Sequence, residues 1–283
     1  MDIQGIITKG VGGLYTVVAD GISYQCKARG VFRNKKMTPL IGDMAVITMP
    51  KDSELGTIHT IKPRKNQLVR PAVANVDQVI ITVAAAQPAF NPGLLDRFLV
   101  LVAHEGIPVV ICVNKSDVGI VDEAFAPYSQ GDYPMVYTST LERNGLEDLR
   151  QHMAGKINVF AGPSGVGKSS LLNALSPSLA LETGVLSVKL DRGKHTTRHS
   201  EIFELDGQGG FCVDTPGFSS LEIAHIPKQV LGTLFREFGQ FSEGCKFSDC
   251  LHHQERDCGV KAAVGQGISA PRYNSYIKML QGL

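Results

Sequence analysis

The chain of 283 residues is 43% hydrophobic and 19% charged, enough apolar material for a sizeable core and too much for a disordered or low-complexity chain. Its net charge of +1 hides an asymmetry, since residues 1–70 carry eleven Lys/Arg against five Asp/Glu and the remainder seventeen against twenty-two. A basic first quarter favours an anionic partner, nucleic acid first, and no run approaches the roughly 18 to 20 apolar residues of a membrane helix.

The start, MDIQGIITKGVGG, has an acid at position 2 and no long apolar core, so no signal peptide is expected and a cytoplasmic, thiol-reducing setting is. Five short β-rich runs follow at 3–8, 14–19, 22–28, 44–49 and 56–61, broken at Gly12-Gly13, Asp20-Gly21 and Gly42-Asp43. This pattern predicts a small β-barrel, an OB-fold by its strand count. Such barrels bind RNA through basic grooves and stacking aromatics. Arg33, Lys35 and Lys36 supply the charge, but Tyr15, Tyr24 and Phe32 are the few aromatics and there is no Trp. A solvated basic loop that binds nothing is the plain alternative.

Residues 62–71, KPRKNQLVRP, read as a polar, proline-bracketed linker and a domain boundary. Beyond it, apolar runs at 78–86, 107–113, 135–137 and 157–161 alternate with helix-like segments at 93–104 and 146–153. That alternation predicts a parallel sheet covered on both faces. Ligands of such sheets bind outside the carboxyl ends of the strands. Cys26, Cys112 and Cys212 fall singly in apolar runs, where packing is the default role.

Four segments stand at those strand ends. Asn114-Lys115-Ser116-Asp117 resembles the NKxD signature of guanine-nucleotide-binding proteins. A carboxylate at Asp117 accepts two hydrogen bonds from guanine N1–H and the 2-amino group, which adenine cannot offer. Asn114 would brace the loop and the Lys115 stem would cover the purine face. Thr138-Ser139-Thr140 is a candidate partner loop around Ser139, with a backbone N–H meeting guanine O6, or an ordinary capping turn. Gly162-Pro163-Ser164-Gly165-Val166-Gly167-Lys168-Ser169, leading through Ser170 into a helix, is the phosphate-loop pattern. Lys168 would reach the β- and γ-phosphates and the Ser169 hydroxyl would enter a Mg²⁺ shell. Finally, Asp214-Thr215-Pro216-Gly217 is a DxxG motif, with Asp214 towards Mg²⁺ and the Gly217 N–H towards the γ-phosphate. Thr197, or its neighbour Thr196, would add a metal ligand from Gly193-Lys194-His195-Thr196-Thr197. Phe218 follows DTPG and cannot orient water, which leaves backbone alone or His195 for that task.

The order of these motifs is unusual. NKSD precedes the phosphate loop and DTPG comes last, so a GTPase built this way is circularly permuted. That order, the basic barrel, GPSGVGKSS, GKHTT and the junction PRKNQLVRPAVANVDQ resemble the circularly permuted small-subunit ribosome-assembly GTPases, the RsgA/YjeQ family, over essentially the whole chain. The resemblance implies GTP hydrolysis to GDP with Mg²⁺, and a barrel and C-terminal segment that grip 16S rRNA of the 30S ribosomal subunit.

Near the C-terminus, Cys245, Cys250, His252 and Cys258 fall within fourteen residues. In a reducing compartment three cysteines and a histidine point to a closed structural Zn²⁺ site, with His253 as a competing ligand and a redox pair or packed thiols as alternatives. A helix is expected at 227–238, and a tail helix bearing Arg272, Tyr273, Tyr276 and Lys278 either touches RNA or packs. The expectation is therefore a barrel (1–66), a circularly permuted α/β GTPase domain (67–222) and a mainly helical zinc-binding domain (223–283). It is expected to act as a monomer with no membrane partner. The runner-up is an RNA-binding assembly chaperone for which nucleotide is only a conformational ligand, and a metabolic kinase is a distant third.

Overall fold

In a computed structural model, residues 2–30, 32, 37–50, 53–68, 71–119, 122–179, 181, 201–207, 209–214 and 222–283 are described. The chain divides into two compact units, one of Met1–Gln78, Arg150–Phe160 and Leu172–Ser219, the other of Val79–Leu149, Ala161–Leu171 and Ser220–Leu283.

The first unit begins with the strands β1 (Asp2–Val11), β2 (Leu14–Ala19), β3 (Ile22–Ala28), β4 (Met44–Thr48) and β5 (Leu55–Ile61). They pair in the order β1-β2-β3-β5-β4 and close through β1–β4, with β3–β5 parallel and the other pairings antiparallel. This is the five-stranded OB-like barrel. Alternate residues Ile7, Val17, Cys26, Ala45, Ile47 and Ile58 point inward and are buried, as the period of two requires. The presumed linker is not featureless. Its β6 (Gln67–Leu68) pairs antiparallel with β7 (Val73–Ala74), just beyond it. Beside this pair Arg64 reaches back to the fully buried Asp43, Nε to Oδ1 at 2.7 Å and Nη2 to Oδ2 at 2.7 Å. Short polar and proline-flanked strands lack the apolar run that would betray them in sequence. The same unit holds β11 (Ile157–Ala161), β12 (Glu201–Glu204) and β13 (Phe211–Asp214), with β11 parallel to β13 and β12 antiparallel to it.

In the second unit β8 (Gln78–Ala84), β9 (Val109–Asn114) and β10 (Met135–Thr138) are parallel neighbours. Every residue of β8 and β9 is buried, which is why both read as unbroken apolar runs. The helix Pro92–His104 starts as its sequence dictates. Asn91 accepts the Leu94 N–H and Pro92 occupies the first turn, where its missing N–H costs nothing. A further helix, Asp122–Gln130, lies in a stretch that reads only as polar. Its internal Pro127 argues against a helix, but Phe125 and Tyr128, three apart, bury one face.

The helix expected at 227–238 is broken. It is a short helix Lys228–Leu231, two single 3₁₀ turns at Gly232–Leu234 and Arg236–Phe238, and a short helix Gly239–Ser242. Phe235, with φ −94° and ψ 102°, is extended between the 3₁₀ turns and drives its ring into the core with Leu231, Phe238 and Tyr276. Burial of that aromatic cluster outweighs helix continuity. The tail helix Ala270–Gly282 packs with Arg272 and Tyr276 inward, while Tyr273 is half-buried and Lys278 is exposed. Arg272 and Tyr276 are 2% and 0% exposed, so the reading in which these two touch RNA is replaced by packing. No described helix is long and apolar enough to cross a membrane.

Candidate nucleotide site and metal centre

β9 delivers Asn114 at the carboxyl edge of the sheet, and Lys115, in the left-handed region at φ 62°, turns the chain sharply into Ser116–Val118. Asn114 is fully buried, so each polar atom of its amide needs a partner. Its Nδ2 donates to Val166 O at 2.9 Å, and its Oδ1 accepts the Thr138 hydroxyl at 3.1 Å. Lys115 Nζ donates to Gly165 O at 2.8 Å and to Gln87 O at 2.6 Å. Asp117 Oδ1 accepts the Ser139 hydroxyl at 2.6 Å, and the Ser139 hydroxyl in turn accepts the Glu142 N–H at 3.0 Å. The Ser139 N–H donates to Asn144 O at 3.0 Å. Ser139 therefore meets the loop through its side chain, because the tight turn to Asn144 has already taken the backbone donor.

The 162–169 loop is shaped by its glycines. Gly162, Gly165 and Gly167 have φ of 132°, 81° and 93°, which L side chains rarely adopt. A Cβ on Gly162 would stand 2.0 Å from Thr82 O, and one on Gly167 would stand 2.5 Å from Asn114 Nδ2. These two positions admit no side chain, so the loop can pack directly on β8 and on the Asn114 amide. Val166 is buried as an apolar anchor, Pro163 lies partly exposed, and Ser164 and Gly165 are exposed. Lys168 opens the helix Lys168–Leu175 and curls its ammonium onto Gly162 O at 2.7 Å and Pro163 O at 2.8 Å. Ser169 and Ser170 follow in the first turn, both partly exposed. The result is a coiled loop at a helix N-terminus with an ammonium held over it, the arrangement that receives phosphate oxygens.

Asp214 closes β13. His195, Thr196, Thr197 and Gly217, and the side chain of Asp214, lie outside the described residues, as do the loop residues Arg33, Lys35 and Lys36.

The second cluster lies between the short helices of the C-terminal segment. The ligand atoms of Cys245, Cys250, His252 and Cys258 all fall within 4.8 Å of one another. Cys245 Sγ and Cys258 Sγ are 3.8 Å apart, and His252 Nδ1 stands 3.5 and 3.4 Å from them. A tetrahedral ion with Zn–S bonds of about 2.3 Å spaces its sulfurs about 3.8 Å apart, so the donor set fits Zn²⁺. His253, the competing ligand, is not in the cluster. Supports surround it: the Lys261 N–H points at Cys258 Sγ at 3.4 Å, the Tyr273 hydroxyl holds His252 O at 2.7 Å, and Glu255 accepts the N–H groups of Leu251 and His253 at 2.8 Å each. Burial pushes the Cys250 thiol up to about 12, which a bound cation would reverse.

Comparison with known proteins decides the family. Residues 61–224 match the model of the RsgA GTPase family, and residues 4–58 that of the RsgA N-terminal domain. The chain belongs to the RsgA GTPase family. Curated RsgA proteins described as small ribosomal subunit biogenesis GTPases align along nearly its whole length. The protein of Clostridium novyi is 46% identical, over 99% of this chain and 97% of its own. That of Geobacillus thermodenitrificans is 47% identical, over 98% and 96%. Among solved structures, YloQ, described as a circularly permuted GTPase, superposes with a TM-score of 0.83 at 37% identity, covering 100% of this chain and 95% of its own. YjeQ from Thermotoga maritima gives 0.86 at 37% identity, covering 100% and 99%.

As an RsgA-family GTPase the chain carries its central domain in permuted order, and the tertiary structure restores the meeting of NKSD with the phosphate loop. Sequence reasoning flagged the Thr138-Ser139-Thr140 loop but not the side-chain bond it makes, and missed Gln87 altogether. Thr138 serves as the partner of Asn114, and Gln87 O as a seat for Lys115. Gln87 has no sequence signal, because its carbonyl is recruited by proximity across the strand ends.

Proposed function

We propose that the chain binds GTP and Mg²⁺ at the permuted loops and hydrolyses GTP to GDP and phosphate in the service of small-subunit ribosome biogenesis. The observation that carries this reading is the Asn114 Nδ2 bond to Val166 O, which joins the base-selecting loop to the phosphate loop. In this reading Asp117 accepts guanine N1–H and the 2-amino group while the Ser139 hydroxyl holds the carboxylate. Lys115 keeps its stem against the purine face, and the N–H groups of 163–170 cradle the α- and β-phosphates. Lys168 swings from the Gly162 and Pro163 carbonyls to the β- and γ-phosphates.

Mg²⁺, when bound, neutralises charge on the β- and γ-phosphate oxygens; Ser169, Asp214 and Thr197 or Thr196 are the residues to hold it, and Gly217 N–H meets the γ-phosphate. His195 is the residue to position the attacking water. Cys245, Cys250, Cys258 and His252 through Nδ1 hold one structural Zn²⁺, with no open position for catalysis. The barrel of residues 1–66 and the segment 223–283 grip 16S rRNA in the cytoplasm, flanking a GTPase domain of 67–222 that works as a monomer. Multiple-turnover GTP hydrolysis with purified 30S subunits, with free 16S rRNA and with neither tests the proposal. Strong stimulation by the subunit is expected. Tight GTP binding with no stimulated turnover would instead support the chaperone that uses nucleotide as a conformational ligand.

A further inference from the structure

β1 has two edges, and the structure uses them differently along its length. One edge pairs with β2 from Ile6 to Val11. The other pairs with β4 from Asp2 to Ile6, continues at Ile7 onto Gly42 and Asp43, and then leaves the barrel. At Thr8 the register with β2 slips, and beyond that bulge Lys9 stands opposite Glu201, the first residue of β12. Bulges increase local twist and re-aim the strand that carries them. Lys9 Nζ and Glu201 Oε2 are 2.8 Å apart. On its far side Glu201 stands opposite Asp214, the last residue of β13. Lys9, Glu201 and Asp214 are therefore one row across three strands: a barrel residue, a residue four positions past the 193–197 segment, and the residue that opens DTPG. Among the described residues of the first unit, β1–β12 is the strand pairing that links the barrel to the β11–β13 sheet.

We propose that Glu201 is a positioning residue that couples the barrel to the end of β13, so that an anionic polymer held by the barrel and the nucleotide state sensed at Asp214 report to each other. The inference rests on the reading of Asp214 as a nucleotide-sensing residue. A shift of β1 moves the row as a unit, because backbone hydrogen bonds between strands do not stretch appreciably. Linkage makes the effect reciprocal: whatever nucleotide does to β1, tension on β1 does to nucleotide. The side chains of Lys9 and Glu201 are 45% and 35% exposed, so exchanging their charges opens no core.

The test compares Glu201→Lys, which sets like charges opposite each other, with the swap Lys9→Glu/Glu201→Lys, which restores the pair. Amide hydrogen exchange of β1 is measured in GDP and in a non-hydrolysable GTP analogue. The wild-type protein is expected to show different protection at residues 7–11 in the two states, the single variant to lose that difference, and the swap to regain it. In turnover assays Glu201→Lys is expected to keep basal hydrolysis within about twofold and to lose about fivefold of the 30S-stimulated rate, the scale of a partly exposed pair turned repulsive, with recovery in the swap. Equal exchange of β1 in both states of the wild type overturns the inference, and so does a swap as impaired as the single variant. A nucleotide-dependent exchange pattern lost and regained without any stimulation by 30S supports the coupling and removes the ribosome-stimulated reading instead.

Discussion

The Asp117 carboxylate sits where its neighbours hold it: Ser139 donates to one oxygen, and Asn114, three residues earlier, is locked between Val166 O and the Thr138 hydroxyl. Replacing Asp117 by Asn turns an acceptor pair into one acceptor and one donor. GTP affinity should fall at least about a hundredfold, two charge-assisted hydrogen bonds being lost, while xanthosine triphosphate, which carries an oxygen at the 2-position, becomes the better ligand; competition against a fluorescent nucleotide measures both. Ser139→Ala removes the orienting bond, and with it the acceptor of the Glu142 N–H, and should weaken GTP about three- to tenfold without altering base preference. At this scale the motif residues were legible because NKxD and the phosphate loop fix residue types at fixed spacing. The direction of the Ser139 N–H was not, since it depends on how Asn144 closes the following turn.

Among the elements, the C-terminal helix is held by a buried charge cluster rather than by apolar contact alone. Arg272 donates to both oxygens of Glu237 at 2.6 and 3.2 Å and to Asp96 on the helix Pro92–His104, and its guanidinium lies 4.7 Å from the Phe235 ring centroid. Arg272→Ala leaves two carboxylates buried without their cation and should cost about 3 to 5 kcal/mol in denaturant unfolding. The variant Arg272→Lys should recover part of it, losing the planar fork but keeping the charge. The segment 245–258 has few apolar residues of its own, so on the proposed zinc reading metal chelation or Cys258→Ala should expose it to proteolysis while leaving guanine nucleotide binding in place. The metal spacing was legible because ligand chemistry depends on residue type. Arg272 and the broken 227–238 segment were not: an arginine and a helical period look the same in sequence whether the partner is solvent, RNA or a buried acid.

For the whole molecule, the separation between a basic barrel and the slightly acidic remainder predicts that small-subunit affinity falls steeply with salt, with a log–log slope near the number of phosphates neutralised. The barrel and the alternating strands were visible in advance because burial imposes periodicity, two for the barrel and unbroken apolar runs for β8 and β9. The pairing of the barrel with β12 was not, because it joins residues 192 apart that carry no shared pattern. The central claim is that loops out of their usual order assemble one guanine nucleotide site. Calorimetric titration of GTP and ATP into the full-length protein with Mg²⁺ tests it most directly. GTP should bind at least about a hundredfold tighter than ATP, and Asp117→Asn should abolish that preference. Equal affinity for the two nucleotides in the wild-type protein would contradict the account.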